Sequence, residues 1–140
     1  MRDSGHAAVE MALAAGVLLL PVALVVSAFG PWSERKVMAE AVAAEASRAA
    51  VIHLDVRKGQ EFVDRFVSSS PLNSNDIRLG WCGAAPAVPF GGDCPMSRGS
   101  TVDVVVEIWT PLVSTPWGDV GHVWVRGAHS EPVDLYRSLE

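Results

Sequence analysis

Lysine is almost missing from this 140-residue chain: of eleven basic residues only Lys36 and Lys58 are lysines, and the arginines are scattered singly. With a formal net charge of −5, nothing gathers into a basic patch that could neutralise a phosphate backbone, so nucleic acid is excluded as a partner. Catalytic signatures are absent as well. There is no G-x-S-x-G elbow, no phosphate-binding G-x-x-x-x-G-K-[ST] loop, no H-E-x-x-H and no dinucleotide glycine fingerprint. The four histidines, His6, His53, His122 and His129, stand apart from the cysteine or carboxylate spacings of a metal site. Asp55, Asp64 and Asp93 read as surface or turn residues. The expectation is a chain that is not an enzyme, with no catalytic residues, no metal and no cofactor.

Cysteine is scarce too. Cys82 and Cys94 are the two present, they form no C-x-x-C, and the stretch WCGAAPAVPFGGDC that holds them is rich in Gly and Pro. In a chain led by a membrane or export segment, this even count reads as one disulfide closing an extracytoplasmic loop, and two buried free thiols are the alternative.

What the sequence does have is a long apolar run. From Met11 to Trp32 there is no charged residue, and in helical geometry these positions extend about 33 Å, enough for a hydrocarbon core of about 30 Å. Pro21 in its middle is tolerable where neighbouring helices and local adjustments re-satisfy freed backbone groups. Gly16 and the alanines at 12, 14, 15 and 23 leave small-residue surface, which favours close helix–helix packing in lipid. A cleavable secretory signal is the competing reading, since Val26-Ser27-Ala28 fits a small-x-Ala cleavage pattern. The head of the segment opposes it, because Arg2 is offset by Asp3 and Glu10. Arg35 and Lys36 beyond the run compete with Arg2, so charge alone does not orient the span.

Glu10 is the feature to explain. It follows Gly5 by five positions, in MRDSG-HAAVEM, at the mouth of the apolar helix. Glycine before a scissile bond allows close backbone approach, and a carboxylate near a membrane surface can meet a cationic amine on a neighbouring chain. Near the helix end its cost is below that of an acid at the bilayer midplane. This arrangement resembles the processing site of type IV pilin-like precursors. With the polar leader MRDSG, the Ala-rich stretch WSERKVMAEAVAAEASRAAVIHLD beyond the span and the strand-rich distal part, the layout is similar to that of the TadE-like family of tight-adherence pilus proteins. The resemblance covers the whole length in layout, and specific residues around Gly5 to Met11 and, loosely, Ser47-Arg48-Ala49-Ala50. It implies cleavage by a prepilin peptidase between Gly5 and His6, retention of Glu10 through assembly, and other pilin-like subunits and assembly machinery as partners. Two departures stand out: Met11 follows the glutamate where an aromatic is common, and Gly30-Pro31 interrupts what would be one long helix.

Beyond that break, Pro31 and Ser33 suit the start of a helix over about 32–56. Its charges, Glu34, Arg35, Lys36, Glu40, Glu45 and Arg48, fall on several faces and leave no clean apolar stripe, so alanine propensity is expected to carry it. QEFVDRFVSS pairs Phe62 with Phe66 and Val63 with Val67 at i,i+4, a short amphipathic helix ending before Pro71. From Asp76 the period becomes two: Ile77, Leu79 and Trp81 alternate, then Val102, Val104, Val106 and Ile108, with a third strand over Val120–Arg126. An antiparallel sheet with the amphipathic helix on one face follows.

The expected fold class is therefore α+β. Residues 1–5 form a leader, 6–30 a transmembrane helix, 31–70 a helical region, and 71–140 a small β-rich region with one disulfide. The resemblance implies a minor pilin or pseudopilin, single-pass in the cytoplasmic membrane, its distal domain outside and associated with a pilus. The rival is a secreted or signal-anchored domain that binds a ligand through Trp81, Trp109, Trp117 and Trp124.

Overall fold

The computed structural model describes residues 4–88, 94–115 and 117–134. The start of the leader and Asp93 lie outside them. The fold is α+β: a helix α1 (Ser4–His53), a helix α2 (Val56–Ser69), a short 3-10 turn (Ser74–Asp76), then strands β1 (Ile77–Trp81), β2 (Thr101–Thr115) and β3 (Gly118–Pro132) in one antiparallel sheet of order β1-β2-β3.

The break expected at Gly30-Pro31 does not occur. α1 runs through both Pro21 and Pro31 as a single 50-residue helix. A proline removes one backbone donor, and the turns on either side, rich in Ala, Leu and Val, hold the helix across the gap. Small hydroxyls add local bonds there: Ser27 Oγ donates to the Ala23 carbonyl (2.7 Å) and Ser33 Oγ to that of Gly30 (3.0 Å).

The distal half of α1 also has the apolar stripe that its charges concealed. Ala39, Val42, Ala43, Ala46, Ser47 and Ala50 are buried, at the 3–4 residue spacing of one helix face, while Glu40, Glu45 and Arg48 are exposed. Burial, not propensity alone, fixes this segment. It lies on the sheet, where the inner faces of Ile77, Leu79 and Trp81, of Val102, Val104, Val106 and Ile108, and of Val125 are all buried. The alternation expected of the first two strands is present, and β3 is longer than expected, pairing with β2 over almost its whole length.

The helix that covers the sheet is α1, not the amphipathic α2. α2 packs against α1 instead, with Val56, Gly59 and Val63 buried. Two glycines set how closely the layers approach. A Cβ on Gly127 would strike the Ala39 backbone, and one on Gly59 would strike the Trp81 ring and the Ala46 carbonyl (2.6 Å). Side chains larger than hydrogen at either position would push an element off the core.

Leu54 joins the helices in the left-handed region (φ 51°). The Asp55 N–H donates to the Ala50 carbonyl (3.1 Å) and the Leu54 N–H to that of Val51 (3.4 Å), which closes α1 with the bond pattern of a Schellman motif. Asp55 then caps α2, its carboxylate accepting from the Arg57 N–H at 2.9 Å. Cys82 and Cys94 form a disulfide, with Cα atoms 5.5 Å apart, that ties the end of β1 to the segment leading into β2.

Candidate functional site

The motif residues sit on the first turns of α1, which begins at Ser4, so Gly5 and His6 are already within helical backbone. His6, Glu10 and Met11 are exposed. His6 and Glu10, four apart, share a helix face. Among the described residues Glu10 has no ion-pair partner.

The segment behind it is equally uncovered. α1 is the one described helix long and apolar enough to cross a membrane, and its most apolar window is wholly unburied by the rest of the chain. Leucines and valines stand out along it, and at Ala8, Ala12 and Gly16 the surface recedes into a shallow apolar groove bordered by Val9, Leu13 and Leu20. With four-residue spacing these three small positions stack on one face, the shape that lets a second helix approach closely in lipid.

The tryptophans do not converge. Trp81 fills the core between β1, α1 and α2, and among the described residues its buried Nε1 has no hydrogen-bond partner. Trp109 and Trp124 are a cross-strand pair on the outer face of the sheet, ring centres 4.7 Å apart. His122 stacks on Trp109 (5.1 Å), and the Arg78 guanidinium lies 3.8 Å over Trp124, so these rings are occupied by one another and by a cation. Trp117, 93% exposed, is at the β2–β3 hairpin tip. The four residues of the proposed ligand groove are thus divided among three places.

His122 and His129 also have separate roles, His129 Nε2 lying 3.2 Å from Glu131. Among the described residues no three His, Cys, Asp or Glu side chains gather where they could hold a metal. The hydrogen bond from the Arg57 side chain (3.2 Å), and then that from its backbone N–H, hold the Asp55 carboxyl below the usual range, and Asp55 in turn raises Arg57.

Sequence reasoning overlooked Gly59 and Gly127, whose role depends on what approaches them, and the small-residue stripe of the distal α1. A count of alanines at 39, 43, 46 and 50 would have found the latter. In comparisons with family models, curated proteins and solved structures, nothing matches this chain.

Proposed function

We propose that the chain is a TadE-like, pilin-related component of a tight-adherence type pilus system, anchored by the apolar half of α1 in the cytoplasmic membrane with its disulfide-bonded domain outside. The observation that carries this reading is the continuity of α1. One helix bears Gly5 and Glu10 at its start, an uncovered apolar surface next, and a half packed on the sheet. Subunits that associate through their membrane helices would then fix the positions of their outer domains, because no hinge separates the two.

In this role Gly5-His6 is the bond that a prepilin peptidase cleaves. The carboxylate of Glu10 receives a neighbouring subunit's newly freed α-amino group, so that neither charge is left unpaired in a poorly hydrated place. The face of Ala8, Ala12 and Gly16 supplies the close contact between helices. The protein acts by packing, and is a substrate of the processing enzyme.

Mass mapping of the amino terminus of protein recovered from its native cell tests the reading. A start at His6 is the expected result. A start at Phe29 would identify a cleaved secretory signal and sink it, and an intact Met1 would leave a plain anchor. Gly5→Ala is expected to retain the leader, and Glu10→Ala to be cleaved but to fail in assembly. Normal assembly by both variants would remove the motif from the mechanism.

A further inference from the structure

The β2–β3 hairpin points back along α1 toward the apolar segment. Gly127 packs on the Ala39 backbone, Lys36 Nζ donates to the Arg126 carbonyl at 2.7 Å, and Arg35 shares a cleft with Pro111, Asp119 and His122. Positions toward the hairpin tip thus meet α1 from Ala39 back to Arg35, about one turn nearer the apolar segment. From Gly127 to Gly118 the strand covers nine residues, about 30 Å. From Ala39 to Phe29 the helix covers ten, about 15 Å. Up to an inclination of about 60° the hairpin therefore reaches the level of Phe29 and Trp32, whose rings are 5.7 Å apart where the uncharged run ends.

The tip is composed for such a place. No charged residue occurs from Ile108 to Gly118, and Leu112 (47%), Val120 (61%) and Trp117 (93%) expose their side chains. An indole exposed beside Leu112 and Val120 leaves an apolar patch in water, whereas at a bilayer the amphipathic indole is favoured at headgroup level. Asp119 sets a limit on depth, since a carboxylate belongs with headgroups and water rather than acyl chains.

We propose that the hairpin tip, through Trp117 with Leu112 and Val120, rests in the headgroup layer of the same membrane that α1 crosses, giving the domain a second contact with lipid. This rests on the reading that α1 spans a membrane. Two attachments on different elements would fix the tilt of the domain over the bilayer, which a single helix leaves free to rotate.

The test uses the full chain, its native disulfide intact, reconstituted in phosphatidylcholine–phosphatidylglycerol vesicles. An environment-sensitive fluorophore is placed singly through Trp117→Cys, Val120→Cys, Val22→Cys or Arg98→Cys, and quenched by nitroxides on lipid headgroups or shallow acyl positions. Val120→Cys keeps the tryptophan, and Arg98 lies at the opposite end of the sheet, before β2. Shallow quenching of the Trp117 and Val120 probes is expected to be at least about half that of the Val22 probe by its best-placed quencher, with the Arg98 probe unaffected. Quenching at Val22 with Trp117 and Val120 as silent as Arg98 would overturn the lipid contact and leave the span intact. Silence at Val22 would overturn both.

Discussion

The two halves of α1 are made of similar residues and solve the same problem by different means. Between His6 and Ser27 alanine, leucine and valine surround the helix and every side chain is exposed; between Ala39 and Val51 alanines and valines occupy a stripe and are buried by the chain's own sheet. Each half carries small residues three or four apart: Ala8, Ala12 and Gly16 in one, Ala39, Ala43, Ala46 and Ala50 in the other. The difference lies in what covers them. In the distal half the small side chains bring the helix backbone against a sheet, to the point that Gly127 can be nothing larger. The proximal half presents the same kind of surface left uncovered by the described residues of its own chain.

The largest effect should come from the centre of the covered half. Trp81→Ala removes a ring that is 0% exposed and should cost about 3–5 kcal/mol in denaturant unfolding of the distal domain. Trp117→Ala, at the exposed tip, should stay within about 0.5 kcal/mol in detergent. Equal losses at both positions would erase the distinction between core and contact surface. Reduction of Cys82–Cys94 comes next, at about 3 kcal/mol for a loop of this size. It should lower the melting temperature of the domain while leaving helical circular dichroism of the proximal α1 in place.

A matched pair of substitutions tests the two halves directly. Ala43→Leu, at a position with no exposure, overfills the contact with the sheet and should destabilise the domain by about 1–3 kcal/mol. Ala12→Leu fills the open groove instead. It should leave domain unfolding unchanged and weaken helix–helix association in a bilayer, read by energy transfer between labelled chains. If Ala12→Leu shifted domain melting, the proximal half would be packed on its own chain in solution.

Why the distal half was obscure in the sequence follows from the same comparison. Arg35 and Lys36 project from the side of α1 that later bears the stripe, so a survey of charges finds no clean face. In the structure they precede the buried stretch, Lys36 bonding to the Arg126 carbonyl and Glu40, and Arg35 lining a cleft. Alanine, favourable in any helix and small enough to bury unnoticed, gives little amphipathic contrast. The strands were legible because Val and Ile at period two leave no such ambiguity, and the disulfide because two cysteines flank a turn-rich segment. Gly127 and Gly59 could not be recognised before their neighbours were known. At the amino terminus the spacing of Gly5 and Glu10 was legible, and among the described residues no ion-pair partner faces Glu10.

The smallest effect is expected at the turn where α1 ends and α2 begins. Asp55 accepts from the Arg57 backbone and side chain, which lowers its carboxyl from the ordinary value of 3.8. A carboxylate depressed in the folded state contributes its stabilisation above the unfolded-state value and loses it as the pH falls through the folded one. Stability from this site should therefore be flat from neutral pH down to the usual carboxylate range and decline only below it. Asparagine can still cap α2 but carries no charge for Arg57. Asp55→Asn should accordingly lower the melting temperature slightly at neutral pH and converge with the parent chain in acid. Parallel profiles at all pH values would mean that the cap, rather than the Asp55–Arg57 pair, holds α2 at this turn. Either way the proximal half of α1 should be indifferent to the change, because the motif at Glu10 and the turn at Asp55 are at opposite ends of the helix.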